Sequence, residues 1–206
     1  MPTTAPAPAL PPIAPVTAAV RLAYVWAHFA RVYPGAPVGA LGSTGSGAAV
    51  EVADLAEAFF SQPQPYPVEP NWREWHGQQV PFFFDDSAGP LLTMMSGRAK
   101  INADVISAAF YLLSGWQEYF SDARDQHGRF PYAASVQARY GFVALPVVNY
   151  YFDVLRVTIE HATGQPLHPH TWGPGPHSPP SSATTSTTCA APGKPRPKQP
   201  CKTASY

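Results

Sequence analysis

Acidic residues stop at Glu160 and large aliphatic side chains stop at Leu167. Residues 168–206 contain no Leu, Ile, Val, Phe, Met, Asp or Glu. Such a stretch cannot bury enough apolar surface to offset its ordering entropy, so 167–206 reads as a disordered Pro/Ser/Thr-rich tail. Cysteine is nearly missing: Cys189 and Cys201 both lie in that tail, which excludes a disulfide framework and a Cys-x-x-Cys metal pair. No apolar run approaches the length of about 18 residues that a membrane span needs. The N-terminus, MPTTAPAPALPPIAP, has neither a basic n-region nor an apolar h-region, so no secretory signal is expected and a cytoplasmic location is the default. Nor is there an excess of one charge: the formal net charge is zero. Nine basic and 13 acidic residues precede the tail, and Lys194, Arg196, Lys198 and Lys202 sit within it. A mildly acidic body gives no reason to expect nucleic acid as a partner.

What remains suits one domain. Residues 1–15 form a Pro/Ala segment too poor in apolar groups to fold, which leaves 16–166 as the globular body. Leu22, Val25, Phe29 and Val32 recur at helical spacing, predicting a helix over 16–33 stopped by Pro34-Gly35. Ala49 to Val52 can form a short strand, and Asp54 can cap a short helix through Phe60. Val80 to Asp85, VPFFFD, is an apolar run bounded by turn residues and fits a buried strand. From Asp104 a helix presents Val105, Ile106, Ala109, Phe110, Leu113, Trp116 and Phe120 on one face, with Asn102 as its cap. Gly115 falls inside that helix, where close packing would require it. Pro146 fits a first-turn position, and Val148, Tyr151, Phe152, Leu155 and Ile159 define a last helix ending before Gly164. The expected fold is α/β or α+β, about three main helices on a small sheet that includes Val80 to Asp85.

Two ionisable groupings invite a chemical reading. Asp85-Asp86 follows three phenylalanines, and metal-dependent polysaccharide deacetylases carry a similar Phe-Asp-Asp turn. A metal site needs further ligands at fixed spacing, however, and no His-x-x-x-His occurs, so a turn is the plainer reading. Glu118, Asp122, Arg124, Asp125, His127 and Arg129 form the densest cluster. It can do acid/base work or bind a cation, or it can be an ion-pair network that fixes a loop. The loop GALGSTGSG, Gly39 to Gly47, lacks both the P-loop lysine and the Gly-x-Ser-x-Gly elbow. Tyr66, Trp72 and Trp75 can either stack on a sugar or cover the core. No cofactor, metal site or catalytic residue is assigned.

The run Phe110-Tyr111-Leu112-Leu113-Ser114-Gly115-Trp116-Gln117-Glu118-Tyr119, then Arg124-Asp125-Gln126-His127-Gly128-Arg129-Phe130, then Pro146-Val147-Val148, resembles an uncharacterised DUF7033-like domain. That domain lies upstream of the catalytic domain in certain bacterial polysaccharide deacetylase proteins. The likeness spans about residues 18–165. Gly115, Gln117 and Asn149 replace the pattern's usual Arg, Glu and Asp. The resemblance implies a non-catalytic accessory domain that docks to a deacetylase domain or helps hold a glycan, with Glu118, Asp125, His127 and Arg129 as the binding residues. It also implies that a catalytic domain would follow residue 167, where the tail stands instead. A frameshifted or truncated gene is the expectation drawn from that abrupt change. The other readings are a metal-dependent hydrolase using Asp85, Asp86, Asp125 and His127, and a remnant without function.

Overall fold

Thr17 opens the first helix, its hydroxyl accepting the Val20 N–H at 3.4 Å, and α1 runs Ala18–Val32. Its buried face is Arg21, Val25 and Phe29, whereas Val32, expected inside, is 38% exposed. This computed structural model describes residues 16–171. The chain divides into two units, 1–170 and 171–206, and the architecture described is that of the first. The Pro/Ala segment and the tail beyond Thr171 lie outside the described residues.

After α1, β1 (Leu41–Ser43) and β2 (Val50–Val52) pair in parallel although six residues separate them. Parallel neighbours ordinarily need a crossover of a dozen or more residues. Here the strands are three residues long, so the return is only about 7–10 Å at 3.3 Å per residue. Gly45 and Gly47 make the reversal at φ +85° and +75°. Gly42 is required for a different reason: a Cβ there would lie 2.2 Å from Ser46 Oγ and 2.9 Å from Ala48 Cβ, because the loop folds over the strand.

A short helix α2 (Glu57–Phe60) follows, without a side-chain cap; Asp54, expected to cap it, pairs with Arg21 instead. β3 (Asn71–Trp75) and β4 (Gln78–Phe82) form an antiparallel hairpin across His76-Gly77. Both turn residues have positive φ, 50° and 76°, the backbone a tight hairpin demands. A second hairpin, β5 (Leu92–Met95) and β6 (Arg98–Ile101), turns at Gly97 and completes a four-stranded sheet of order β1-β2-β6-β5. The apolar run at Val80 is therefore a strand of the separate two-stranded hairpin, not of the main sheet. It ends at Phe82, and Phe84 turns out of it at φ +55°.

The central helix is two. α3 (Val105–Leu113) is capped by Asp104, whose carboxylate accepts the Ser107 N–H at 2.9 Å. Asn102, the expected cap, instead donates to the Pro90 carbonyl and Thr93 Oγ1. Gly115, at φ +69°, then breaks the helix before α4 (Trp116–Phe120). Nothing lies within 4 Å of a Cβ placed on Gly115, so left-handed backbone and not close packing is what the glycine supplies. Ser135 caps α5 (Val136–Arg139). α6 (Val147–Thr163) begins after Pro146 and ends at Gly164 in the left-handed conformation.

α6 packs on β2, β4, β5, β6 and α3, and α1 packs on α3. Val25, Phe29, Val50, Val52, Ile101, Ala108, Tyr151, Leu155 and Ile159 belong to one core cluster. Phe59, Phe60, Phe84, Phe110, Tyr111 and Trp116 extend it as an aromatic group. Leu167 is buried, and the His170 N–H donates to the Val32 carbonyl, so packing continues past α6. The described residues thus form a mixed α/β fold of six helices and two small sheets, with α1, α3 and α6 as the three main helices. No described helix is long and apolar enough to cross a membrane.

Candidate functional site

The break at Gly115 turns α4 so that consecutive side chains take different tasks. Gln117 is buried; its Nε2 donates to Gln137 Oε1 at 3.1 Å and its Oε1 accepts the Val136 N–H at 2.8 Å. That pair of bonds fixes α5 against α4. Glu118, one residue on, faces a groove of about 550 Å³ also lined by Leu112, Phe130, Tyr132, Val143 and Asn149. Phe142 and Val147, 2% and 3% exposed, lie beneath them. Tyr132 is 56% exposed, and among the described residues the Glu118 carboxylate has no hydrogen-bond or ion-pair partner. Apolar walls carrying aromatic rings and a free carboxylate can hold a ligand that has an apolar face and hydroxyl or amide donors.

Of the four residues singled out in the sequence, only Glu118 lines this groove. Asp125, His127 and Arg129 sit on the adjoining loop and are occupied in shaping it. The Asp125 carboxylate accepts the His127 and Arg129 N–H groups at 2.8 and 3.0 Å, and the Arg129 guanidinium at 2.9 and 3.1 Å. Gly128 closes the turn at φ +76°. The Arg129 N–H above all holds the Asp125 carboxyl below its usual range; desolvation, the next largest effect, opposes it, and the His127 N–H and the Arg129 side chain add to the lowering. His127 is exposed, its ring 3.1 Å from the Gln126 amide.

The hydrolase set does not assemble around an ion. Asp85 is tied to the Arg73 guanidinium through both carboxylate oxygens. Among the described residues, no three His, Cys, Asp or Glu side chains group closely enough to hold a metal. The aromatic platform is likewise dispersed. Trp75 Nε1 donates to Asp153 Oδ2 at 2.9 Å, whereas the Tyr66 hydroxyl donates to the Ala134 carbonyl and its ring lies 4.1 Å from the Arg139 guanidinium carbon.

Two charged groups were not legible as sites. Arg21, 1% exposed on an apolar helix, donates to Ser107 Oγ, the Val16 carbonyl and Asp54 Oδ1 at 2.7–2.8 Å. Beside it, burial pushes the Asp104 carboxyl upward while the N–H groups of Ser107 and Leu55 partly offset that. Asp153 gathers Trp75, His76 and Arg156. Burial raises its carboxyl, but the hydrogen bonds from Trp75 and Arg156 outweigh burial and hold it below the usual range. An arginine in the middle of an amphipathic helix was the one available signal, and its spacing to Val25 and Phe29 marks the buried face.

The fold and groove define a small α/β domain with a groove built from residues 112–149. A family model covers residues 44–164, and the chain belongs to that family, DUF7033, a family of unknown function. The match takes in the whole groove and leaves α1 outside. No curated protein matches the chain, and no solved structure does.

Proposed function

We propose that residues 16–166 form a non-catalytic accessory domain, of the kind that accompanies a polysaccharide deacetylase domain, and that it holds glycan in the groove beside Glu118. The observation that carries the reading is a carboxylate unpaired among the described residues, beside the exposed aromatic and amide side chains of Tyr132 and Asn149. Sugar rings present apolar C–H faces that suit aromatic walls, and their hydroxyl and acetamido groups donate to a carboxylate. A hydrogen bond to a charged acceptor contributes about 1.5–3 kcal/mol, so Glu118→Gln weakens binding by roughly tenfold or more.

The test is a titration of the protein with chitooligosaccharide, followed by amide chemical shifts. The expected result is saturable change at Glu118, Tyr132 and Asn149, weakened by Glu118→Gln with the fold unchanged. No saturable change overturns the reading. Metal analysis and acetate release on the same sample separate it from the hydrolase alternative: stoichiometric metal with acetate released points to Asp85, Asp86, Asp125 and His127 instead.

A further inference from the structure

β1, β2 and β6 are parallel, so Ser43, Val52 and Ile101 end at one edge of the sheet. Outside the carboxyl ends of parallel strands the connecting loops diverge and leave a crevice, which is where open α/β sheets bind ligands. Two adjoining depressions occupy that edge here and share Ser43, Ala53 and Asp54. One, of about 470 Å³, is polar and adds Thr44, Asp86, Lys100 and Asn102. The other, of about 390 Å³, is mainly apolar and is walled by Leu22, Val52 and Ile106 with Arg21 at its side.

The polar groups of the first depression are incompletely used. Asp86 and Lys100 line it together, yet among the described residues neither side chain has a hydrogen-bond or ion-pair partner. Glu51, opposite Lys100 in the β2–β6 register, accepts the Gly47 N–H. Asp54 Oδ1 accepts from Arg21 at 2.8 Å, and among the described residues its Oδ2 has no donor. Asn102 spends its Nδ2 on Pro90 and Thr93 and keeps its Oδ1. Of the charged side chains lining the two depressions, Arg21 is spent on Asp54, and Asp104 accepts the Ser107 and Leu55 N–H groups; the two left over, Asp86 and Lys100, are opposite in sign, so a ligand carrying one charge of each sign is favoured.

We propose that this edge binds a small zwitterion with an apolar substituent, chemically an apolar α-amino acid. Its carboxylate meets Lys100, its ammonium meets Asp86 and Asp54 Oδ2, and its side chain enters the apolar depression beside Leu22, Val52 and Ile106. The opposite charges that face one cleft without pairing are what select a zwitterion over a simple anion or cation. The site is separate from the groove at Glu118, so the two readings stand or fall independently.

Calorimetric titration of the full chain with L-leucine tests this, with N-acetyl-leucine and leucinamide as analogues lacking one charge each. The expected result is saturable binding of L-leucine, at least about tenfold weaker for either analogue and for Lys100→Met or Asp86→Asn. Both variants alter exposed or half-exposed positions, and circular dichroism confirms that they fold. Absence of saturable L-leucine binding up to about 10 mM, a level that detects affinities weaker than −4 kcal/mol, overturns the proposal. So does equal binding of the analogues, binding undiminished in both variants, or saturation at this edge by N-acetylglucosamine in place of the amino acid.

Discussion

Replacing Arg21 with methionine removes a guanidinium that is 1% exposed while keeping most of the aliphatic stem. Three bonds disappear, to Ser107 Oγ at 2.8 Å, the Val16 carbonyl at 2.7 Å and Asp54 Oδ1 at 2.8 Å, together with the stacking of the guanidinium 4.8 Å over the Phe60 ring. Breaking one side of a buried ion pair costs about 3–5 kcal/mol, chiefly because the surviving charge is left uncompensated. Asp54 has 30% of its side chain exposed and can be rehydrated, which places the expected loss near the lower end, about 3 kcal/mol. For a domain of this size that is a fall in Tm of roughly 6–12 °C. Urea unfolding followed by tryptophan fluorescence reads the loss as a lower midpoint at unchanged slope. The double variant Arg21→Met, Asp54→Asn should recover part of it, since the orphaned carboxylate is gone. A loss below about 1 kcal/mol, or a double variant as unstable as the sum of the two singles, would refute the claim that this pair bolts α1 to the sheet edge.

Gly115→Ala and Gly42→Ala should both destabilise, for different reasons. At Gly115 the space is open but φ is +69°, giving a cost of about 1–2 kcal/mol. At Gly42 the new methyl meets Ala48 Cβ at 2.9 Å, so the loop must shift, at about 1–3 kcal/mol; chemical denaturation of each variant is the check. Asp153→Asn should lower stability at pH 7, and the deficit should shrink as pH falls below about 4. A carboxyl held below its unfolded value of about 4 contributes stability above that value, and loses it as pH falls through the folded one. Asp104, pushed upward by burial, has the opposite sign: its contribution is complete below about pH 4 and fades as pH rises through the folded value. Unfolding midpoints measured across pH on both Asn variants distinguish the two.

Much of the element order was readable along the chain because its determinants are local. α1 and α6 announce themselves through apolar spacing and through their terminators, Pro34-Gly35 and Gly164, and β2 lies within the short strand expected over Ala49 to Val52. β5 and β6 left no such trace. One face of their sheet meets solvent, so Leu-Thr-Met-Met and Arg-Ala-Lys-Ile read as mixed polarity, and only the Ser96-Gly97 dipeptide marks the turn between them. Gly115 was visible, yet a glycine that breaks a helix and one buried in a helix look alike until φ is known.

Residue order alone separates a helical and stranded body, rich in aromatic residues, from an acid-free tail, and places the family likeness in the stretch from Asp104 to Pro146. Which of its ionisable residues are spent on structure was decided only in three dimensions. Asp125 is consumed four residues away by Arg129, but Arg21 finds Asp54 33 positions on and Ser107 86 positions on. Glu118 meets Tyr132 and Asn149 across the groove only because α4, the loop and α6 are packed against one core. Local pattern encodes local backbone, whereas a free carboxylate in a groove is defined by which distant groups fail to reach it.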